Sequence, residues 1–170
     1  MRKEKKKILL LELVCVVLLV IVDQVTKYFA IVELKGKPAI EIIGDVFELH
    51  YLENRGAAFG MLQGQKFFFI CITLIILAGI TYFLIKIPYE KKYTKLQTAL
   101  VFIAAGAIGN FIDRVSYNYV VDFLYFKLID FPIFNVADIY VTVFAIYLSV
   151  LLLFVYKESD LDFIGRKSNL

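Results

Sequence analysis

The chain has 170 residues, 61% of them hydrophobic, and a mean hydropathy of +0.76. A soluble domain sits nearer half apolar, so this excess points into a membrane. The net charge of +3 is too small and too scattered for a nucleic-acid partner, and none is expected.

Four stretches are long and apolar enough to cross a hydrocarbon core of ~30 Å, which takes ~20 helical residues. The first, Ile8–Ala30, follows a basic start at Arg2, Lys3, Lys5, Lys6 and Lys7. It runs past signal-peptide length through Asp23-Gln24-Val25-Thr26-Lys27 and has no small-residue cleavage pattern, so it reads as a retained helix. The others are Phe67–Ile85, Leu96–Ile112 and Val136–Tyr156. Twelve of the 19 basic residues fall in the N-terminal segment, Lys86–Lys95 and the C-terminal segment, against seven in the longer alternate segments. The positive-inside rule therefore puts both termini in the cytoplasm and makes the protein multi-pass.

The segment between the first two spans, 31–66, is long for a connector. Phe47, Leu49 and Tyr51 alternate with Glu48 and His50, and Gly44-Asp45 signals a turn, which predicts a small sheet on the outer membrane surface. The stretch Asn54-Arg55-Gly56-Ala57-Ala58-Phe59-Gly60 follows. Its G-x-x-x-G lacks a surrounding apolar 20-mer, so close backbone approach to a ligand or a mobile loop suits it better than helix pairing. Lys86–Lys95, with Pro88, reads as a plain inner loop. Gly106, Gly109 and Ala105 read as small-residue helix packing. The expected architecture is one domain, 1–170: an all-α membrane protein of four transmembrane helices with a small extracytoplasmic β-sheet cradle and a mobile outer loop or helix.

Ionisable residues within spans are costly and are functional candidates. Here they gather at one depth. Asp23 and Lys27 lie near the outer end of the first helix, Asn110, Asp113 and Arg114 close the third, and Asn135 and Asp138 open the fourth. Asp122 sits in the apolar run Val120-Val121-Asp122-Phe123-Leu124 of the short outer connection, with no cation at helical spacing. Structural readings stand beside the chemical one. Asp23 and Lys27 have the spacing of an i,i+4 ion pair, Asn135 that of an N-cap, Asp138 suits a helix first turn, and Asp113–Arg114 could close the third helix as a pair.

Elimination narrows the reaction. His50 is the only histidine, which rules out an H-E-x-x-H metal site within the chain. Cys15 and Cys71 fall inside apolar runs and read as small core residues, not a disulfide, metal pair or nucleophile. Ser116 lies near the polar cluster, where Lys27 or Lys127 could serve as its base; this is the weaker alternative. No glycine-rich phosphate loop follows a strand, and neither cofactor nor metal is expected. Carboxylate pairs remain. Two carboxyls sharing a site cannot both ionise cheaply, so one keeps a proton at neutral pH, and the pair offers a general base and a general acid. A proton- or ion-coupled transporter would also carry buried carboxylates, but the inner halves of the spans are apolar except for Glu12. The G-x-G-D tetrapeptide of another intramembrane aspartyl protease class is absent.

The motifs Asp23-Gln24-Val25-Thr26-Lys27, Asn54 to Gly60, Gly106 to Arg114, Val120-Val121-Asp122-Phe123 and Phe134-Asn135-Val136-Ala137-Asp138 occur in one order along nearly the whole chain. In this the chain resembles lipoprotein signal peptidase, the type II signal peptidase of bacteria. The resemblance implies a catalytic dyad of Asp122 and Asp138, and a substrate and inhibitor pocket at Asn54, Gly56, Asn110, Arg114 and Asn135. It implies structural support from Asp23, Gln24, Lys27 and Asp113. The substrate would be a diacylglyceryl-modified prolipoprotein, cut just before the lipidated cysteine at the outer face of the cytoplasmic membrane. Other expected partners are membrane lipids and peptide-like inhibitors of the globomycin type, with the protein a monomer. Ile139 departs from relatives that carry a small hydroxyl residue after the second aspartate, and without Trp the aromatic belts rest on Tyr and Phe.

Overall fold

The structure, a computed structural model, describes residues 2–56 and 63–165. Its elements in chain order are α1 (Arg2–Leu34), β1 (Ile40–Ile43), β2 (Phe47–Asn54), α2 (Lys66–Lys86), α3 (Thr94–Tyr117), β3 (Val120–Tyr125), α4 (Val136–Val150) and a short α5 (Asp162–Gly165). A π-helical turn, Leu151–Val155, extends α4. Four helical stretches, Lys3–Leu34, Lys66–Lys86, Lys91–Tyr117 and Val136–Val155, are long and apolar enough to cross a membrane. They match the four expected spans, with α1 and α3 helical beyond the predicted ends.

α3 is the central helix. It packs against α1, α2 and α4 and buries Leu96, Ala99, Leu100, Ala104 and Ala105, whereas the other helices expose large apolar residues such as Leu18, Ile75, Ile146 and Phe154. That distribution is what a bilayer solvent requires: side chains facing lipid need no covering, so burial is confined to helix contacts. Gly106 and Gly109 make the close approach possible. A Cβ at Gly106 would meet the Ala137 carbonyl oxygen and one at Gly109 the Asp23 carboxylate, so α1 and α4 both lean on the glycine face of α3.

At one end of the bundle lies a three-stranded antiparallel sheet in the order β1-β2-β3. The turn between β1 and β2 contains Asp45 at φ 51°, in keeping with the predicted Gly44-Asp45 turn. The predicted in–out alternation of β2 holds only in part. Glu48 is buried, in reach of Lys127 (3.6 Å) and His50 (3.4 Å), and Leu52 is exposed. The β2–β3 register shifts between Leu49 and Leu52, and the 3₁₀ turn Lys127–Ile129 brings Lys127 to Glu48, so the simple period-2 pattern fails there. β3 itself was not anticipated: the apolar connection carrying Asp122 is a strand. Val121 and Phe123 pack with Ala30 and Leu34 of α1 into a core that joins sheet to bundle. At the opposite end, Ile80, Ile87, Tyr93, Leu96 and Leu100 form a second core. There the expected plain loop is organised, with a 3₁₀ turn at Lys91–Tyr93 that the C-terminal segment clasps: the Tyr156 hydroxyl donates to Lys92 O (2.6 Å) and the Tyr93 hydroxyl to Asp160 O (2.8 Å).

Candidate active site

Asp122 on β3 and Asp138 in the first turn of α4 are linked by a chain of amides. Asn135 Nδ2 donates to Asp122 Oδ1 (2.6 Å) and to Asn110 Oδ1 (3.2 Å), and Asn110 Nδ2 donates to Asp138 Oδ1 (2.7 Å). The remaining oxygens are also engaged. Asn54 Nδ2 donates to Asp122 Oδ2 (2.8 Å), and the Asn135 backbone N–H to Asp138 Oδ2 (3.1 Å). Asn54 reaches Asp122 because it pairs with Val120, which makes it a diagonal neighbour on the same sheet face. Asn135 is indeed the N-cap of α4 and forms a capping box with Asp138. The capping reading holds, and it leaves room for the chemical one, since one set of bonds fixes both the helix start and the carboxylate orientation.

Behind the pair is a buried ionic layer. Lys27 Nζ lies 2.9 Å from Asp23, 3.1 Å from Asp113 and 2.9 Å from Asn110 Oδ1. Gln24 Nε2 donates to Asp113 Oδ1 (2.9 Å), Asp23 Oδ2 (3.1 Å) and Gly109 O (3.2 Å). Each of these aspartates also grips a backbone amide. Asp113 Oδ2 accepts from Val121 N–H (3.0 Å) and Asp23 Oδ1 from Ala137 N–H (2.9 Å). Those amides immediately precede Asp122 and Asp138. The Asp23–Lys27 pair is present as expected for i,i+4 spacing, but it is wholly buried and shared with α3.

Asp113 does not pair with Arg114, contrary to one expectation. Arg114 instead donates to Asn110 O (3.3 Å) and Gly56 O (3.4 Å) and stacks over Phe69 (4.7 Å), which ties α3 to the buried Gly56 and to α2. Ala57 to Gly60 of the glycine-rich stretch lie outside the described residues. His50 is exposed on β2, Ser116 is exposed, and Lys27 and Lys127 are committed to carboxylates, which removes the serine–lysine alternative.

A cavity of about 340 Å³ opens on the pair. Asn54, Gly56, Asn110, Arg114, Asp122 and Asp138 line it; Asn135 lies beneath the surface, fully buried. The rest of the wall was missed: apolar Val120, Ile139 and Val143, the 131–134 loop, and the hydroxyl of Thr142. The β-branched and aromatic run Val120–Tyr125 was the available signal for the strand, while the loop residues carry none. Burial, and then the neighbouring charge of Asp138, push the Asp122 carboxyl up to about 7, despite the opposing bonds from Asn54 and Asn135. The pair can thus hold one proton near neutrality, giving one carboxylate to accept a proton from water and one carboxyl to donate.

Four membrane-spanning helices with an amide-bridged carboxylate pair at the sheet end define an integral membrane protein equipped for acid–base hydrolysis. The family model described as signal peptidase (SPase) II matches residues 15–154. The lipoprotein signal peptidase of Clostridium novyi (strain NT) is 40% identical over 146 residues, covering 84% of this chain and 97% of the relative. That of Caldanaerobacter subterraneus subsp. tengcongensis is 46% identical over 143 residues, covering 84% and 95%. Two solved structures of bacterial membrane enzymes, determined by the in meso method at 2.3 and 1.9 Å, superpose with TM-scores of 0.75 and 0.73. They are 36% and 39% identical and cover 94% and 85% of this chain and 93% and 94% of their own. The chain belongs to the signal peptidase II family and is a multi-pass membrane protease of the aspartic type.

Proposed function

We propose that the chain removes signal peptides from diacylglyceryl-modified prolipoproteins, cleaving before the lipidated cysteine, with Asp122 and Asp138 as the catalytic dyad. The observation that carries this reading is the amide-bridged pair lining a cavity that combines polar side chains with apolar ones. One carboxylate takes a proton from water as the oxygen attacks the scissile carbonyl, while the protonated partner donates to the carbonyl oxygen. Collapse of the tetrahedral intermediate breaks the C–N bond, and the leaving amine of the lipidated cysteine takes a proton from the dyad. Asn54, Gly56, Asn110 and Arg114 bind the peptide backbone from the cavity wall, and Asn135 holds the dyad in register.

The Lys and Arg asymmetry supports cytoplasmic termini, with the sheet end and dyad at the outer face of the bacterial cytoplasmic membrane. That is the depth at which a diacylglyceryl anchor leaves a scissile bond. The test is cleavage of a diacylglyceryl lipobox peptide by the purified protein and by Asp122→Asn and Asp138→Asn. Both variants keep shape and hydrogen-bonding capacity, bind substrate and lose roughly 10³-fold or more in turnover. Near-normal turnover in either variant overturns the assignment.

A further inference from the structure

The cavity is small for the substrate just described. Its ~340 Å³ lies at the lower end of the ~300–1,000 Å³ typical of small-molecule sites, and a peptide carrying two long acyl chains exceeds it. Most of the lipid must therefore lie outside. The surface of α4 offers one continuous way out. Ile139 and Val143 line the cavity, yet they are 39% and 51% exposed, and Ile146 and Val150 continue the row at 62% and 44%. Steps of four, three and four residues put all of them on one helix face. From Ile139 to Val150 the row spans about 16 Å at 1.5 Å per residue, close to one leaflet of a ~30 Å hydrocarbon core. α1 and α2 also expose apolar residues, but of these lipid-facing surfaces only that of α4 runs into the cavity. Among the described residues Thr142 is the one hydroxyl in the cavity wall, one turn beyond Asp138, where the polar lining gives way to the apolar row.

We propose that the α4 row from Ile139 to Val150 seats an acyl chain of the substrate, and that Thr142 at its head donates a hydrogen bond to the ester carbonyl of the glyceryl group. α4 then carries both a catalytic carboxylate and the selection for lipid modification. The proposal rests on the diacylglyceryl-substrate reading above.

The test uses the purified full chain and one lipobox peptide bearing dipalmitoyl- or dibutanoyl-glyceryl cysteine, read as the long-to-short ratio of kcat/KM. Val143→Trp, which fills the row at a lipid-facing position, lowers that ratio about tenfold through KM for the long-chain substrate. Thr142→Val lowers kcat/KM several-fold for the diacyl substrate and much less for a dialkyl ether analogue, which has no ester carbonyl. Ile75→Trp, at a lipid-facing position of α2 outside the cavity, keeps the wild-type ratio. An unchanged ratio in Val143→Trp, or an equal fall in Ile75→Trp, overturns the proposal, as does an equal response of ester and ether substrates to Thr142→Val. Those outcomes would leave Asp-dependent cleavage intact. Failure of the underlying function would instead appear as normal turnover in Asp138→Asn.

Discussion

Replacing Lys27 with Met tests whether the ionic layer behind the dyad holds the bundle together. Met keeps most of the side-chain volume and removes a charge that lies between Asp23 and Asp113, with all three side chains at most 3% exposed. Breaking a buried ion pair by deleting one partner costs about 3–5 kcal/mol, because the remaining charges are left desolvated. Here two carboxylates lose their shared cation, so the upper part of that range applies. Adding Asp113→Asn to Lys27→Met removes one orphaned charge and restores about 1–2 kcal/mol. The loss of Lys27 also leaves Asn110 Oδ1 with Asn135 Nδ2 as its one remaining donor among the described residues, so the amide that orients Asp138 is less well fixed and turnover per folded molecule falls about tenfold. Thermal unfolding in detergent, with turnover normalised to folded protein, reads both effects. A Lys27→Met protein within about 0.5 kcal/mol of wild type would refute the reasoning, because the layer would then contribute no more than a surface pair.

Further predictions follow from the same geometry. With Asp122 raised to about 7, the pair retains its proton below that pH, so turnover falls as pH rises through about 7 and falls again on the acid side, once a second proton leaves no carboxylate to accept one from water. In Asp138→Asn the like charge is gone and the Asp122 carboxyl, followed by carbon NMR, titrates lower. Because its folded value lies above the ordinary 3.8, Asp122 favours the folded state at low pH and penalises it increasingly between about 4 and 7; Asp122→Asn flattens that part of the stability profile. Gly109→Ala drives a methyl into the Asp23 carboxylate and costs about 1–3 kcal/mol, read by thermal unfolding. Activity survives exhaustive chelation, since the dyad oxygens already accept from amide N–H donors; loss with EDTA and rescue by a divalent ion would contradict this. Reporters fused at the C-terminus and in Lys86–Lys95 read as cytoplasmic and one near Lys35 as external.

The helical frame was legible because spans of ~20 apolar residues are dictated by bilayer thickness alone. The site was legible for a related reason. Asp23, Lys27, Asp113 and Asp138 stand out within apolar helices, and their depth follows from counting along each helix. Asp122 was conspicuous as a charge in an apolar run, but its strand was not, because a six-residue run does not distinguish strand from connection without knowing its partner. The role of Glu48 was hidden for the same reason: its burial comes from Lys127, about eighty residues away in the chain. Sequence spacing found the Asp23–Lys27 pair and missed that Asp113, on another helix, shares it. Long-range partners such as Ala137 N–H for Asp23 are set by helix docking, which periodicity does not encode.

The grip of Asp23 and Asp113 on the amides before the two carboxylates of the proposed dyad has a consequence for when the enzyme can act. The dyad needs β3 and α4 at fixed heights, and those heights are set through one lysine on α1. A nascent chain whose first helix has inserted but whose later helices have not docked therefore has no active centre to misuse. On this reading proteolytic competence requires closure of the bundle, and loss of the α1 contacts removes the support of both carboxylates. Chains split between α2 and α3 and expressed as two pieces would be silent separately and regain cleavage on association, which makes activity itself a reporter of membrane assembly.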